Sequence, residues 1–344
     1  MAGATPVRRR RQSAHARTPT LHDVARAVGV STASASRALT RPELVSEALR
    51  ESILSTAHGL GYIANVAART LSGRPSKLVG AVVRALDDPV AGRAIDALTR
   101  RLEVDGWALI LGTAGDDAEA SAQRMRELVA RGCDALAFFG VVVPEDREAL
   151  FPGRSVPCAC IDRASPGEAA LAVGFDRGRA LALGARYLRE LRHRRIGLFA
   201  LGQAWLAGAL REALAATDVI LVDTAAAIDL RDASGVRETL ARILALPDRP
   251  TAVVCGSDAA AAAVLRECVL HGVPVPGQLS VVGFGDTDLA RQTRPGLTTI
   301  RVPASEAGIA AAEFLLTVLA GQIPPATERT VKLVVRESTG PAPT

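Results

Sequence analysis

The chain has 344 residues, 49% of them hydrophobic and 22% charged, which is enough apolar material for two or three packed domains and excludes a largely disordered chain. Its formal charge of +5 is unevenly placed: residues 1–77 carry 12 Lys/Arg against 4 Asp/Glu, a net +8, and the remainder carries 29 against 32, a net −3. A basic head on a mildly acidic body points to a polyanion, in a soluble chain most often nucleic acid, as the partner of one end only.

From the N-terminus, VRRRRQS (7–13) has the arginines of an export signal, but SAHARTPTLHDVARA follows where such a signal needs an apolar stretch of roughly 7–15 residues. Residues 1–19 read as a disordered basic arm with an unspecific attraction for phosphate. No window approaches the roughly 20 apolar residues of a membrane span. The expectation is a cytoplasmic protein associated with the nucleoid, with no membrane partner.

The next stretch, TLHDVARAVGVSTASASRALT (20–40), holds two helical patterns around one glycine. Thr20 and Asp23 have the form of a capping box, and Leu21, Val24, Ala25 and Val28 recur on one face, which predicts a helix over 21–28. Gly29 supplies the turn, Val30 an apolar plug, and Ser31 a second N-cap that opens a helix over 32–39. Ser46 is expected to cap a third helix from Glu47 to about Leu60, with Leu49, Ile53, Leu54 and Ala57 completing a three-helix core that ends at Gly61. In such a helix-turn-helix, short hydroxyls at Ser31, Thr32, Ser34 and Ser36 bond phosphates without holding the helix away from the groove. Arg37 then has the reach to pair bidentately with a guanine, a contact worth roughly 1–3 kcal/mol of discrimination. Taken alone, the same pattern also describes an exposed helix with a solvated arginine.

NVAARTLS (65–72) is helix-forming but shorter than the roughly 12–15 residues an isolated helix needs, so it forms only when something supports it. The alternative is a plain linker. SGRPSK, with Gly73 and Pro75, closes this segment, so that the head spans 20–64, the hinge and linker 65–76, and the remaining core 77–344.

From Lys77 onward, KLVGAVV, WALILGT, ALAFFG, CACID, LAVGFD, RIGLFAL, VILVD, TAVVCGS and LSVVGFGD read as buried strands. They alternate with amphipathic stretches such as 117–131, 177–191 and 258–271. Repeated strand-helix units mean an α/β fold of parallel sheets covered on both faces, and about 265 residues divide into two doubly wound halves. Ligands bind outside the carboxyl ends of such strands, where this chain carries Arg84, Asp87, Asp162, Arg163, Phe175, Ser257, Asp258 and Asp286. Asp258 equally suits a helix start and Asp286 a turn after a strand. The five cysteines, Cys133, Cys158, Cys160, Cys255 and Cys268, form no CxxC pair and read as small buried residues of a reduced protein.

Enzymatic motifs fail on context. GLGYIA (59–64) fits a dinucleotide pattern but ends a helix, and GFGDTD (283–288) follows a strand without the third glycine. No nucleophile, metal cluster or phosphate loop is present in the sequence, so neither catalysis nor a cofactor or metal is expected.

The run TLHDVARAVGVSTASASRAL followed by VSEALRESILSTAHGLGYIANVAARTLSG resembles the DNA-binding head and hinge of the LacI family of bacterial transcription regulators. The likeness is continuous to about Gly80. The resemblance implies that Thr32, Ala33 and Arg37 read bases, that Ser31, Ser34, Ser36, His22 and Asn65 hold the DNA backbone, and that Tyr62 belongs to the same contact set. His22 and Thr40 depart from the family's usual Tyr and Asn, both at positions concerned with phosphates. It further implies that Leu71 of each protomer wedges into the minor groove at a central step, with Ala68 packed beside it. For the body it implies a periplasmic-binding-protein-like core, with an N-subdomain of about 77–175 and 304–330 and a C-subdomain of about 176–303 and 331–340.

Carried over position by position, Asp162 matches the family's sugar contacts and Phe175 falls where a ring stacks on the ligand. Trp205 stands where sugar-binding members have Arg, Ser257 where several have Asn, and Gly285 where many have Asp. Arg84 and Arg163 suit an anionic effector, a sugar acid or sugar phosphate, and VSEALR and AVGFD are similar to the gluconate-responsive branch. The expected protein is therefore a repressor that binds a palindromic, double-stranded operator as a homodimer and answers to a sugar-like or sugar-acid effector. It lacks the leucine heptads that would make it a tetramer. The rival expectation is a solute-binding protein of the same core fold without regulatory duty.

Overall fold

The computed structural model describes residues 18–63, 75–144, 146–163, 172–199, 204–223, 233–325 and 329–343. The predicted hinge, with Asn65, Ala68 and Leu71, lies outside the described residues. The chain divides into two compact units, 1–74 and 75–344.

In the first unit, helix α1 (Leu21–Val28) opens on the expected capping box. The Thr20 Oγ1 accepts from the Asp23 amide, and the Asp23 carboxylate accepts from the Thr20 N–H at 2.9 Å. Gly29, at φ 77°, turns the chain into α2 (Thr32–Thr40), where Ser31 Oγ accepts from the Ser34 amide at 3.1 Å. A short 3-10 turn (Pro42–Leu44) leads to α3 (Glu47–Leu60). Val24, Ala25, Ala35, Ala38, Ile53 and Ala57 form the buried core. Two expectations are corrected. Leu54 is 43% exposed, because α3 turns Ile53 and Ala57 inward and its neighbouring position outward. Ser46 holds the N-cap position with extended backbone but makes no side-chain cap bond.

The second unit begins with β1 (Leu78–Val83), α4 (Pro89–Val104), β2 (Ala108–Thr113), α5 (Ala118–Ala130), β3 (Ala135–Phe139), β4 (Cys158–Arg163) and β5 (Ala172–Asp176). These strands form one sheet in the order β2-β1-β3-β4-β5, all paired in parallel. Then come α6 (Arg177–Glu190), β6 (Arg195–Phe199), α7 (Ala204–Leu214), β7 (Ile220–Asp223), α8 (Ala233–Leu244), β8 (Ala252–Cys255), α9 (Asp258–Leu270), β9 (Ser280–Phe284), α10 (Asp288–Gln292), β10 (Thr298–Arg301), α11 (Ala304–Leu319) and β11 (Lys332–Val334). The second sheet has the order β11-β10-β9-β8-β6-β7, parallel except for the antiparallel β10–β11 pair. Every strand read from an apolar run is present. β10 and β11, only four and three residues long, had no such run to mark them. WALILGT gives β2, which is an edge strand with alternating exposure and not the buried strand expected.

The chain returns from the second sheet to the first through α11, which packs on α4 and on β3, β4 and β5. Its buried face is Ala304, Ala307, Gly308, Ala310, Ala311, Ala312 and Leu315. Small residues let the two helices close up: a Cβ on Gly308 would lie 2.1 Å from the Ala94 carbonyl oxygen. Leu98 and Leu102 of α4 are fully buried beneath this contact, each contributing roughly 1.5–3 kcal/mol of apolar burial.

After β11 the chain runs back along the second sheet. Ser338 Oγ donates to the Val281 carbonyl and accepts from the Thr298 amide, and Val281 N–H bonds the Ser338 carbonyl. The buried His193 holds this tail: Nε2 donates to the Gly340 carbonyl at 3.0 Å, so Nδ1 accepts from the Thr251 hydroxyl at 2.7 Å. None of the five cysteines is joined in a disulfide, and all five are buried. Burial raises the thiols of Cys133 and Cys268 to about 11 and that of Cys158 to about 12, which leaves them unreactive at neutral pH.

Two stability predictions follow from these contacts. Gly308→Ala is expected to destabilise by more than about 2 kcal/mol, since backbone must move to admit one methyl group; chemical denaturation measures it. Burial holds the His193 pKa below its ordinary 6.5. The neutral ring's contribution is therefore complete above that value and is lost as the pH falls through the lowered one. His193→Ala is expected to cost about 1–3 kcal/mol at pH 7.5, and its deficit against the native protein narrows as denaturation is repeated at lower pH.

Candidate DNA-reading helix and effector cleft

On the head, the first turn of α2 stands free of its own core. Ser31, Thr32, Ala33 and Arg37 are exposed and Ser34 and Ser36 half-buried, whereas Ala35 and Ala38 are buried against α1 and α3. Helical spacing produces this split: 35 and 38 share the inner face, and 33 and 37 the outer. His22 is exposed at the start of α1, with Nδ1 3.5 Å from Thr32 Oγ1, so it belongs to the same surface. Ser31 and Ser34 bond each other at 3.0 Å. Tyr62 is half-buried against the head core. The outer face thus offers hydroxyls at its N-terminal turn and one long guanidinium a turn later, a set suited to phosphates and a base edge.

In the second unit, several of the predicted residues meet where the carboxyl ends of the two sheets converge. Asp162, at the end of β4, is fully buried, and Phe175, at the end of β5, is 2% exposed. The Phe175 ring packs edge-on against Phe139 of the first sheet, with centroids 6.3 Å apart, and lies tilted against Phe284 of the second at 6.2 Å. Arg84, after β1, lies 3.9 Å from Asp88, which caps α4 by accepting from the Val90 and Ala91 amides. Asp87, its neighbour, is exposed. Arg163 and Trp205 lie on β4 and α7, with side chains outside the described residues.

The group that ties this place together is one the sequence reading passed over, Arg177. It is the first residue of α6, behind the N-cap Asp176. Its Nε donates to Asp162 Oδ2 at 2.8 Å and its Nη2 to the same oxygen. Its Nη2 is 3.8 Å from Asp88, its Nη1 donates to the Gly256 carbonyl at 3.4 Å, and the guanidinium lies over the Phe284 ring at 4.7 Å. Burial opposes the charge, but Asp162 and Asp88 outweigh it and raise the pKa. Asp116, beyond β2, is a further carboxylate within the field of Arg84 and Arg177; burial raises its pKa against their pull. A local signal marked Arg177 in the sequence: a cation in the first turn of a helix opposes the helix dipole and needs a special reason to be there.

Ser257, Asp258 and Asp286 are engaged by the protein itself. Ser257 caps α9 through the Ala260 amide at 3.1 Å. Asp258, 1% exposed, accepts from the Thr287 amide (2.6 Å), the Thr287 hydroxyl (2.9 Å) and the Thr299 hydroxyl (2.5 Å). Burial still raises its pKa over these bonds. Asp286, at φ 46°, receives Arg301 at 2.7 Å and Arg336 at 2.6 Å. Burial opposes its ionisation, but the two arginines win and lower the pKa. Gly285, between them, is at φ 122°, and a Cβ there would lie 2.8 Å from Val90 of α4. An aspartate at that position therefore does not fit this packing. Among the described residues no group of His, Cys, Asp and Glu could hold a metal ion.

Comparison with known proteins places this geometry. Residues 20–65 match the model of bacterial regulatory proteins of the lacI family, and residues 185–339 match a periplasmic binding protein-like domain. The chain is 30% identical over 310 residues to the HTH-type transcriptional regulator GalR of Salmonella typhimurium, covering 89% of this chain and 90% of that protein. It is 28% identical over 337 residues to the HTH-type transcriptional repressor PurR of Escherichia coli, covering 94% and 98%. Among solved structures, a LacI-family regulator from Silicibacter pomeroyi has the same fold, with a TM-score of 0.78 at 23% identity over 93% of this chain and 99% of that one. A lac repressor dimer bound to operator and an anti-inducer gives 0.74 at 23% identity, over 94% and 100%.

The bonds at Asp258 predict a structural role separable from ligand response. Asp258→Ala strips the acceptor from three buried donors and is expected to cost roughly 3 kcal/mol or more, read by thermal or urea denaturation.

Proposed function

This chain belongs to the LacI family of bacterial transcriptional regulators, and on that premise we propose that it is a homodimeric repressor reading a pseudo-palindromic operator under control of a small effector. The observation that carries the reading is the outer face of α2, where Thr32, Ala33 and Arg37 are exposed while Ala35 and Ala38 hold the helix to the head. Thr32, Ala33 and Arg37 read bases in the major groove; Ser31, Ser34, Ser36, His22 and Asn65 hold phosphates, with Tyr62 beside them. Leu71 of each protomer enters the minor groove at the operator centre with Ala68 against its wall, bending the duplex. The protein acts in the cytoplasm, on the chromosome.

The effector sits at the converging carboxyl ends of the two sheets, with Asp162 as its anchor, Arg84 and Arg163 at the same strand ends, and Trp205 contributed by α7. Pairing of Arg84 with Asp88 and of Arg177 with Asp162 leaves these two cations already neutralised, which favours a neutral sugar-like effector over a sugar acid or phosphate. Phe175 is a floor of that place more than a stacking platform, since it is buried and packed against the Phe139 and Phe284 rings.

The test is to select fragments of the source genome with the purified protein at physiological salt and sequence those retained. A few sites sharing a centrally symmetric palindrome are the expected result; only diffuse, sequence-independent retention would refute the repressor reading. On a selected site, Arg37→Ala is expected to lose about 1–3 kcal/mol of discrimination at one symmetric base pair while salt-sensitive non-specific binding persists. Leu71→Ala is expected to weaken operator binding and reduce the bend seen by circular permutation of the site.

A further inference from the structure

Arg177 is joined to both halves of the core. From the first sheet it takes the Asp162 carboxylate, with Asp88 at 3.8 Å; from the second it takes the Gly256 carbonyl at 3.4 Å and the face of Phe284 at 4.7 Å. Asp162 ends β4, Asp88 caps α4, Gly256 follows β8 and Phe284 ends β9, so one guanidinium meets the termini of elements from two sheets. It does so at the place where the chain passes from β5 into α6, and it is itself 2% exposed. A buried cation is tolerated only with its charge matched and its donors used, and here the matching partners lie on one half and the remaining contacts on the other.

We propose that Arg177 is a positioning residue for allosteric control, a resident cation that latches the two halves of the core together in the effector-free protein. It acts through Asp162, the carboxylate assigned above as the effector's anchor, and to that extent the proposal rests on the functional reading. An effector that bonds Asp162 at Oδ2 competes with Arg177 for the one oxygen atom that both Nε and Nη2 hold. Once the guanidinium gives up that carboxylate, only Asp88 at 3.8 Å remains opposite it on the first half, and its hold on Gly256 and Phe284 bridges the halves more weakly. The effector is thereby coupled to the angle between the sheets through one side chain. A contact made in one arrangement and absent in the other is what shifts a two-state equilibrium.

Arg177→Lys is the decisive variant, because an ammonium keeps a positive charge opposite Asp162 while lacking the planar fork that also reaches Gly256 and covers Phe284. The full chain is used without effector, with operator binding followed by fluorescence anisotropy on a genome-selected site and hydrogen exchange followed on the DNA-free protein. The expected result is an operator Kd shifted at least fivefold, together with faster exchange in both 158–163 and 254–258. Arg177→Gln is expected to give the same changes with a lower Tm. Arg177→Lys within twofold of the native Kd, with exchange changed on one sheet alone or on neither, would overturn the latch and leave a core ion pair. Should the native protein select no specific DNA, the repressor reading fails, and the exchange arm still decides whether Arg177 bridges the halves.

Discussion

The structure depends on a constraint of chain path: two parallel sheets, each covered on both faces, are built from one chain that must pass between them and come back. The first passage is β5 into α6, the return is β10 into α11, and the last is α11 into β11. The return is secured by the near contact of α11 with α4 at Gly308 and Ala94, and the last by a tail that Ser338 and His193 bind to the second sheet. Parallel strands leave their carboxyl ends on a common side, and right-handed crossovers bring the following loops there. The crossings therefore lie beside the place proposed for the effector. Phe175, Asp176 and Arg177 are at once crossing residues and residues of those converging strand ends.

The head works by a different economy. Its three helices enclose few large side chains; Ala25, Ala35, Ala38 and Ala57 sit among Val24 and Ile53. Small residues on the inner face of α2 bring it close to its neighbours, and small residues on the outer face would bring its backbone equally close to DNA. On the proposed reading, a thin helix puts the burden of discrimination on a single long polar side chain, and Arg37 is the one α2 offers. The hydroxyls around it are partly organised within the head itself, Ser31 against Ser34 and Thr32 beside His22, an arrangement that would lower the ordering cost of the phosphate contacts proposed for them.

Much of this was legible in the sequence for reasons that can be named. The head declared itself because Thr20, Asp23, Gly29 and Ser31 are punctuation with fixed geometry, and the boundaries of α1 and the start of α2 fall where those residues put them. Buried parallel strands declared themselves as apolar runs. What stayed hidden depends on tertiary placement. β10 and β11 are too short to carry a pattern, and β2 has the composition of a central strand although it lies at an edge. Leu54 shows that an apolar letter beside a core position says nothing of its own side. At the converging strand ends, the sequence marked Asp162 and Phe175, which the structure buries there, but gave no sign that half-buried Asp88 and not Asp87 would lie near Arg177, or that Asp258 and Asp286 are met by threonines and arginines arriving from 287, 299, 301 and 336.

Arg177 was hidden for the opposite reason, since its clue was a rule broken. Placed in the first turn of a helix and fully enclosed, it is unfavourable by the helix dipole and by burial taken separately. Asp162 and Asp88 beside it outweigh the burial that opposes its charge. Separation of the two halves would leave a cation, or two carboxylates, without compensation in a place partly withdrawn from water. Charge balance and the closeness of the sheets are thus one variable in this core, and any ligand that alters the first by bonding Asp162 acts on the second without needing to push.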